Sequence, residues 1–138
     1  MNKENIEKLK LCKFWAFSNN CDFSKTELYN DNTEAYMFID LKKFSRELKD
    51  VIFDRNTLYY PCIYISINND EFTLTPTVES DIHQGETYDY CFSFKQELID
   101  GITELLDEAK DAIKNLEYFL ENFTSLDETL DRLDNNEK

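Results

Sequence analysis

Few residues in this 138-residue chain are of the types that do chemistry, and their spacing limits what they can do. The single histidine, His83, lies in Asp81-Ile82-His83-Gln84-Gly85-Glu86. An imidazole beside carboxylates has the chemistry of a general base. A triad also needs a positioned nucleophile, and Ser80, Ser93 and Cys91 carry none of the strand–turn–helix context that exposes one. His83 therefore reads as an ordinary loop residue. The four cysteines, Cys12, Cys21, Cys62 and Cys91, form no C-x-x-C pair, and His83 has no co-ligand at zinc-site spacing. They read as reduced thiols of a cytoplasmic protein. Gly85 and Gly101 are the only glycines, too few for a phosphate-cradling loop. Among 29 acids no pair stands out as a glycosidase pair. The expectation is a protein without catalytic residues, cofactor or metal, and so not an enzyme.

Tyr59, Tyr60, Tyr64, Tyr88 and Tyr90 have the composition of a stacking platform for single-stranded nucleic acid. Charge argues against it. With 29 acids against 15 bases the net charge is −14, and a polyanion is repelled by such a chain unless a basic patch intervenes. The closest approach to a patch is Lys42, Lys43, Arg46 and Lys49, which sit among acids. The tyrosines then read as core and cross-strand pairs. Direct binding to nucleic acid or to a membrane is not expected; a basic protein is the favoured partner.

The acids are unevenly placed. From Glu97 to the end there are 13 acids and 4 bases, net −9. Within that stretch Glu97, Asp100, Glu104, Asp107, Glu108 and Asp111 fall on one side of a helix. They span 14 residue steps, about 21 Å at the helical rise. Six carboxylates over that length give one charge per roughly 3.5 Å, close to the ~3.4 Å per phosphate of one DNA strand. Lys110 and Lys114 dilute the ladder toward its C-terminal end. The competing reading is a solvated face that keeps a small protein soluble.

These carboxylates need a helix to align them, and the apolar pattern supplies one. Leu98, Ile102, Leu105, Ala109, Ala112, Leu116, Phe119, Phe123, Leu126, Leu130 and Leu133 recur in alternating steps of four and three. A second row, Ile99, Leu106, Ile113 and Leu120, widens the stripe beyond a two-helix seam, as for a helix packed on a core. Homodimerisation through this helix remains an alternative. Ser125 with Glu128 has the form of a capping box, so a break near Thr124 and a short separate helix over 126–133 are expected.

Upstream, residues 4–17 read as a helix with Ile6, Leu9, Cys12 or Lys13, and Ala16 on one side, stopped by Ser18-Asn19-Asn20. A short strand is placed near Phe23–Tyr29, a turn at Asn30-Asp31-Asn32 and a strand over 34–39. Asp40 is read as the N-cap of a central helix over 41–53, on the spacing of Leu41, Phe44, Leu48, Val51 and Ile52. Residues 58–67 read as an inner strand, with Pro61 marking an edge or bulge. After a turn at Asn68-Asn69-Asp70, residues 71–79 alternate with Phe72, Leu74, Pro76 and Val78 inward. A loop and a third strand over 87–94 complete the pattern. The fold class expected is α+β: an antiparallel three- to four-stranded sheet packed by a long C-terminal helix, with N-terminal and central helices. Residues 1–134 form one domain and 135–138 a frayed tail. No apolar run follows Met1-Asn2-Lys3-Glu4 and no stretch approaches the ~20 apolar residues of a membrane span, so neither a secretory signal nor an anchor is expected.

No motif is specific to a family. Lys outnumbers Arg 12 to 3 and there are 13 Asn, a bias fitting A/T-rich coding sequence such as that of a low-GC bacterium, phage or plasmid. The function expected is that of an acidic binding protein that docks on a basic, nucleic-acid-binding protein and inhibits it. It would act as a nucleic-acid mimic of phage anti-defence (anti-CRISPR-like) type. The alternative is an immunity protein, secretion chaperone or helical oligomeriser acting through an apolar surface.

Overall fold

The computed structural model describes residues 2–50, 55–81 and 95–122. In chain order the elements are helix α1 (Lys3–Ser18), strands β1 (Asp22–Phe23), β2 (Glu27–Tyr29) and β3 (Glu34–Asp40), a 3-10 turn (Lys42–Phe44), strands β4 (Arg46–Asp50), β5 (Arg55–Asn68) and β6 (Glu71–Ser80), and helix α2 (Gln96–Asn122). The class is α+β, and the described residues give six antiparallel strands where three or four were expected. The strand expected over 87–94, His83, Cys91 and the short helix over 126–133 lie outside the described residues.

The sheet is organised around β5. Its 14 residues pair along one edge with β6, from Tyr59↔Ser80 to Asn68↔Glu71. Its other edge is shared: β3 takes residues 62–68 and β4 takes residues 55–59. Beyond β3, the short β1 and β2 pair with its two halves. Pro61, which lacks an N–H, sits where β3 hands over to β4. Its carbonyl accepts from the Leu41 N–H at 2.9 Å, and the Leu41 carbonyl is turned away to the Phe44 N–H of the 3-10 turn at 3.0 Å. A proline is tolerated inside the sheet there because no acceptor faces it.

Over its described residues, 41–50, the central helix expected over 41–53 is not formed. Leu41 is buried and the chain turns through Lys42–Phe44 into β4, and Asp40 ends β3 instead of capping a helix. Helix spacing of the apolar residues lost to the ladder, because the N-terminal half of β5 would otherwise present unpaired backbone groups along that edge. Strand alternation turns Arg46 and Leu48 of β4 toward α2.

Both helices pack on one face of the sheet. Ala35, Met37 and Ile39 of β3 and Ile63, Ile65 and Ile67 of β5 are buried there against Leu9, Cys12, Trp15 and Ala16 of α1 and Ala109, Ile113 and Leu116 of α2. A second cluster joins Tyr59 and Val78 to Leu98, Ile102 and Leu105. The α2 row from Leu98 to Leu116 is thus used on the chain's own sheet, as the widened stripe implied. Gly101 lets α2 approach β4: a Cβ there would lie 2.7 Å from both Leu48 methyl groups.

The first helix buries Leu9, Cys12 and Ala16 of its expected face and departs from it only at its first turn. Asn5 is buried and Ile6 is 43% exposed. The Asn5 amide donates to the Asp70 carbonyl at 2.9 Å, and the Asn2 N–H donates to the Asp70 carboxylate at 3.0 Å, tying α1 to the β5–β6 turn. Asn2 also caps the helix, accepting from the Asn5 N–H. At the other end Asn20 adopts positive φ and the Cys21 N–H donates to the Ala16 carbonyl at 2.8 Å, a Schellman closure. The Asn69-Asp70 turn has both residues at positive φ, as a two-residue hairpin of right-handed twist requires. No helix among the described residues is long and apolar enough to cross a membrane.

Candidate functional site

The ladder proposed from sequence lies on α2. Burial of Leu98, Ile102, Leu105, Ala109 and Leu116 fixes the rotation of the helix, so the opposite side faces solvent. Glu97, Asp100, Glu104, Asp107 and Asp111 are exposed, and Glu108 is half-buried. The helix is continuous over all six, which keeps the ~21 Å spacing intact.

Neighbours temper the charge. Arg46, directed at α2 by its place in β4, forms an ion pair with Glu104. Lys110 stands 4.0 Å from Asp107 on the same helix. Asp100 accepts a hydrogen bond from the Gln96 amide at 2.8 Å. Glu108 and Asp111 share with Lys43 a hollow of about 140 Å³ between the 3-10 turn and α2. Lys110 dilutes the ladder as expected from sequence; the contribution of Arg46 was hidden, because the helical reading of 41–53 gave that residue no relation to α2.

A second surface was not anticipated. On the sheet face turned away from the helices, β-alternation aligns Glu27 and Tyr29 of β2, Tyr36 and Phe38 of β3, Tyr64 of β5, and Thr77 and Glu79 of β6 around a groove of about 430 Å³. The Phe38 and Tyr64 rings, register partners, lie 4.9 Å apart. Tyr36 and Tyr64 are near-parallel at 5.9 Å, and Tyr29 lies 5.6 Å from Tyr36. The Tyr29 hydroxyl donates to Glu27 at 2.7 Å and the Tyr36 hydroxyl to Glu34 at 3.0 Å. These hydrogen bonds to carboxylates raise both phenol pKa values above their ordinary range, and burial raises that of Tyr64.

Of the tyrosines read from sequence as a possible platform, Tyr59 is core on the helix side, whereas Tyr60 and Tyr64 face the other way. Tyr88 and Tyr90 lie outside the described residues. The aromatic surface is completed by Tyr29, at the end of the short strand expected near Phe23–Tyr29, and by Tyr36 and Phe38 of the strand expected over 34–39. Their period-two placement was readable; their partnership with Tyr64 required the β3–β5 pairing.

Toward Asp40 the same face becomes buried and polar. The Cys62 thiol donates to the Asp40 carboxylate at 3.2 Å, and burial, reinforced by that carboxylate, raises its pKa. The Lys42 ammonium stands 5.3 Å from the Tyr60 ring centroid. Burial pushes Tyr60 up to about 12 and Cys12, inside the core, to about 12. Cys12, Cys21 and Cys62 are free thiols, and burial raises the pKa of each, the direction opposite to the one that activates a nucleophile. Among the described residues no three His, Cys, Asp or Glu side chains are grouped to hold a metal ion. No family model, curated protein or solved structure matches the chain.

Proposed function

We propose that this chain is a non-catalytic binding protein that docks the acidic face of α2 on a basic, nucleic-acid-binding protein and blocks it, as a nucleic-acid mimic of anti-defence type. The observation that supports this most is the exposure of Glu97, Asp100, Glu104, Asp107 and Asp111 on one unbroken helical face. Together with the half-buried Glu108 they set six carboxylates along about 21 Å of helix, a linear charge density approaching that of the phosphates of a single strand, and the chain's net charge of −14 adds a long-range field of the same sign. The apolar row of α2 packs on the chain's own sheet, which favours the charged face over an apolar one as the docking surface.

Charge-led docking has a salt signature. Screening shortens from about 10 Å at 0.1 M to about 3 Å at 1 M ionic strength. Affinity for the partner, measured by calorimetry or interferometry across that range, is expected to fall steeply. An affinity insensitive to salt would instead support the apolar alternative, an immunity protein, chaperone or oligomeriser.

A further inference from the structure

The groove on the sheet face turned away from α1 and α2 combines two features, aromatic rings and carboxylates. Antiparallel sheets with one solvated face normally alternate apolar inward and polar outward. Here β3 and β5 carry apolar residues inward and also present Tyr36, Phe38 and Tyr64 outward, with Tyr29 beside them. Cross-strand pairing explains ring next to ring. It does not explain why carboxylates are set into the same surface.

Glu27 and Glu79 line the groove, and Glu34 is held at its margin by the Tyr36 hydroxyl. The hydroxyl of Tyr29 holds Glu27 in the same way. A carboxylate has about four lone-pair sites, so one tyrosine donor leaves it capacity to accept from a ligand. No lysine or arginine is among the residues that line the groove.

Ring faces are electronegative, and carboxylates beside them add formal charge. An anion is repelled by such a site, and a neutral apolar group gains nothing from the Glu27 charge. A cation satisfies both. Between the two cationic side chains the guanidinium fits better: it is planar, so it stacks on aromatic faces, it is weakly hydrated, and its fork meets a carboxylate with two hydrogen bonds. We propose that this groove receives an arginine side chain from a protein partner, held between the Tyr36–Phe38–Tyr64 rings and the Glu27 carboxylate. The inference is independent of the docking role of α2, because the groove lies on the opposite face of the sheet.

The test is an NMR titration of the full chain with acetyl-Gly-Gly-Arg-Gly-Gly-amide and with its lysine and citrulline counterparts. Citrulline keeps the shape of arginine and loses the charge. Saturable shifts centred on the ring resonances of Tyr29, Tyr36, Phe38 and Tyr64 are expected with the arginine peptide, with affinity about tenfold weaker for citrulline. The lysine peptide should bind more weakly than the arginine one. Glu27→Gln, an exposed substitution, should weaken binding by about tenfold while leaving the rest of the spectrum unchanged. Reversing Asp100, Asp107 and Asp111 of α2 to Lys should leave it unchanged. Equal binding of the citrulline or lysine peptide, absence of saturation at millimolar peptide, or indifference to Glu27→Gln would overturn the proposal, whatever the role of α2.

Discussion

Cys12 shows how a single buried group ties packing to pH. Its side chain is fully buried, and the removal of water pushes the thiol up to about 12 from an ordinary 9.0. In the unfolded chain the thiol ionises near its ordinary value, while in the folded chain it keeps its proton to higher pH. Between the two the folded state binds more protons, so its stability is complete below about pH 9 and falls as pH rises toward about 12. One unit above the unfolded value the loss is on the order of 1.4 kcal/mol. Urea midpoints at about pH 8 and about pH 10.5 should show the decline, and Cys12→Ala should flatten its slope. Gly101 makes a second residue-scale prediction. Gly101→Val would drive its side chain into Leu48 of β4, already 2.7 Å from a bare Cβ. A loss of about 1–3 kcal/mol is expected in urea unfolding, and an unchanged midpoint would mean that α2 and β4 are not in close apposition. Neither effect was legible in the sequence. A cysteine on the apolar side of α1 is visible there, but its desolvation depends on β3 and β5; a lone glycine in an apolar–acidic helix looks like a blemish until the partner strand is known.

Among the elements, α2 was the most legible, because a four-three repeat sustained over many turns has few alternative readings. Strands β5 and β6 and their turn were also readable, since alternation on one side and Asn69-Asp70 between them agree. In the segment expected as a helix over 41–53, the described residues 41–50 were not. Leu41, Phe44 and Leu48 have helical spacing, yet short helices are costly to nucleate and the free edge of β5 offers β4 five residues of pairing. The burial of Asn5 in place of Ile6 in the first turn of α1 was hidden for a different reason: Asn5 is buried because it reaches the Asp70 carbonyl, a contact that spans 65 residues. Asn5→Ala should leave that carbonyl without its donor and cost about 1–2 kcal/mol. Hydrogen exchange should then rise first in α1 and at the β5–β6 turn; protection unchanged at both would show that Asn5 does not anchor the helix.

At the scale of the whole molecule, the sheet separates two surfaces with related charge and different chemistry. On one side α2 exposes a carboxylate ladder backed by a core that fixes its rotation. On the other, an aromatic groove carries carboxylates held by tyrosine hydroxyls. Composition alone implied an acidic surface; it did not imply the groove, because the rings come from β2, β3 and β5 and meet only through pairing. The ion pair of Arg46 with Glu104 is half-exposed and worth at most about 1 kcal/mol, but it makes Glu104 a poor choice for charge reversal, since a lysine there would face Arg46. Asp100→Lys, Asp107→Lys and Asp111→Lys together change the exposed ladder without touching that pair. The most direct measurement is capture from the native host at low salt by the unaltered chain and by this triple variant, with circular dichroism to establish that both are folded. The docking role of α2 predicts that a basic, nucleic-acid-binding protein is retained by the unaltered chain, is displaced from it by added nucleic acid, and is lost by the variant. Retention of the same partner at the same strength by the folded variant would contradict it.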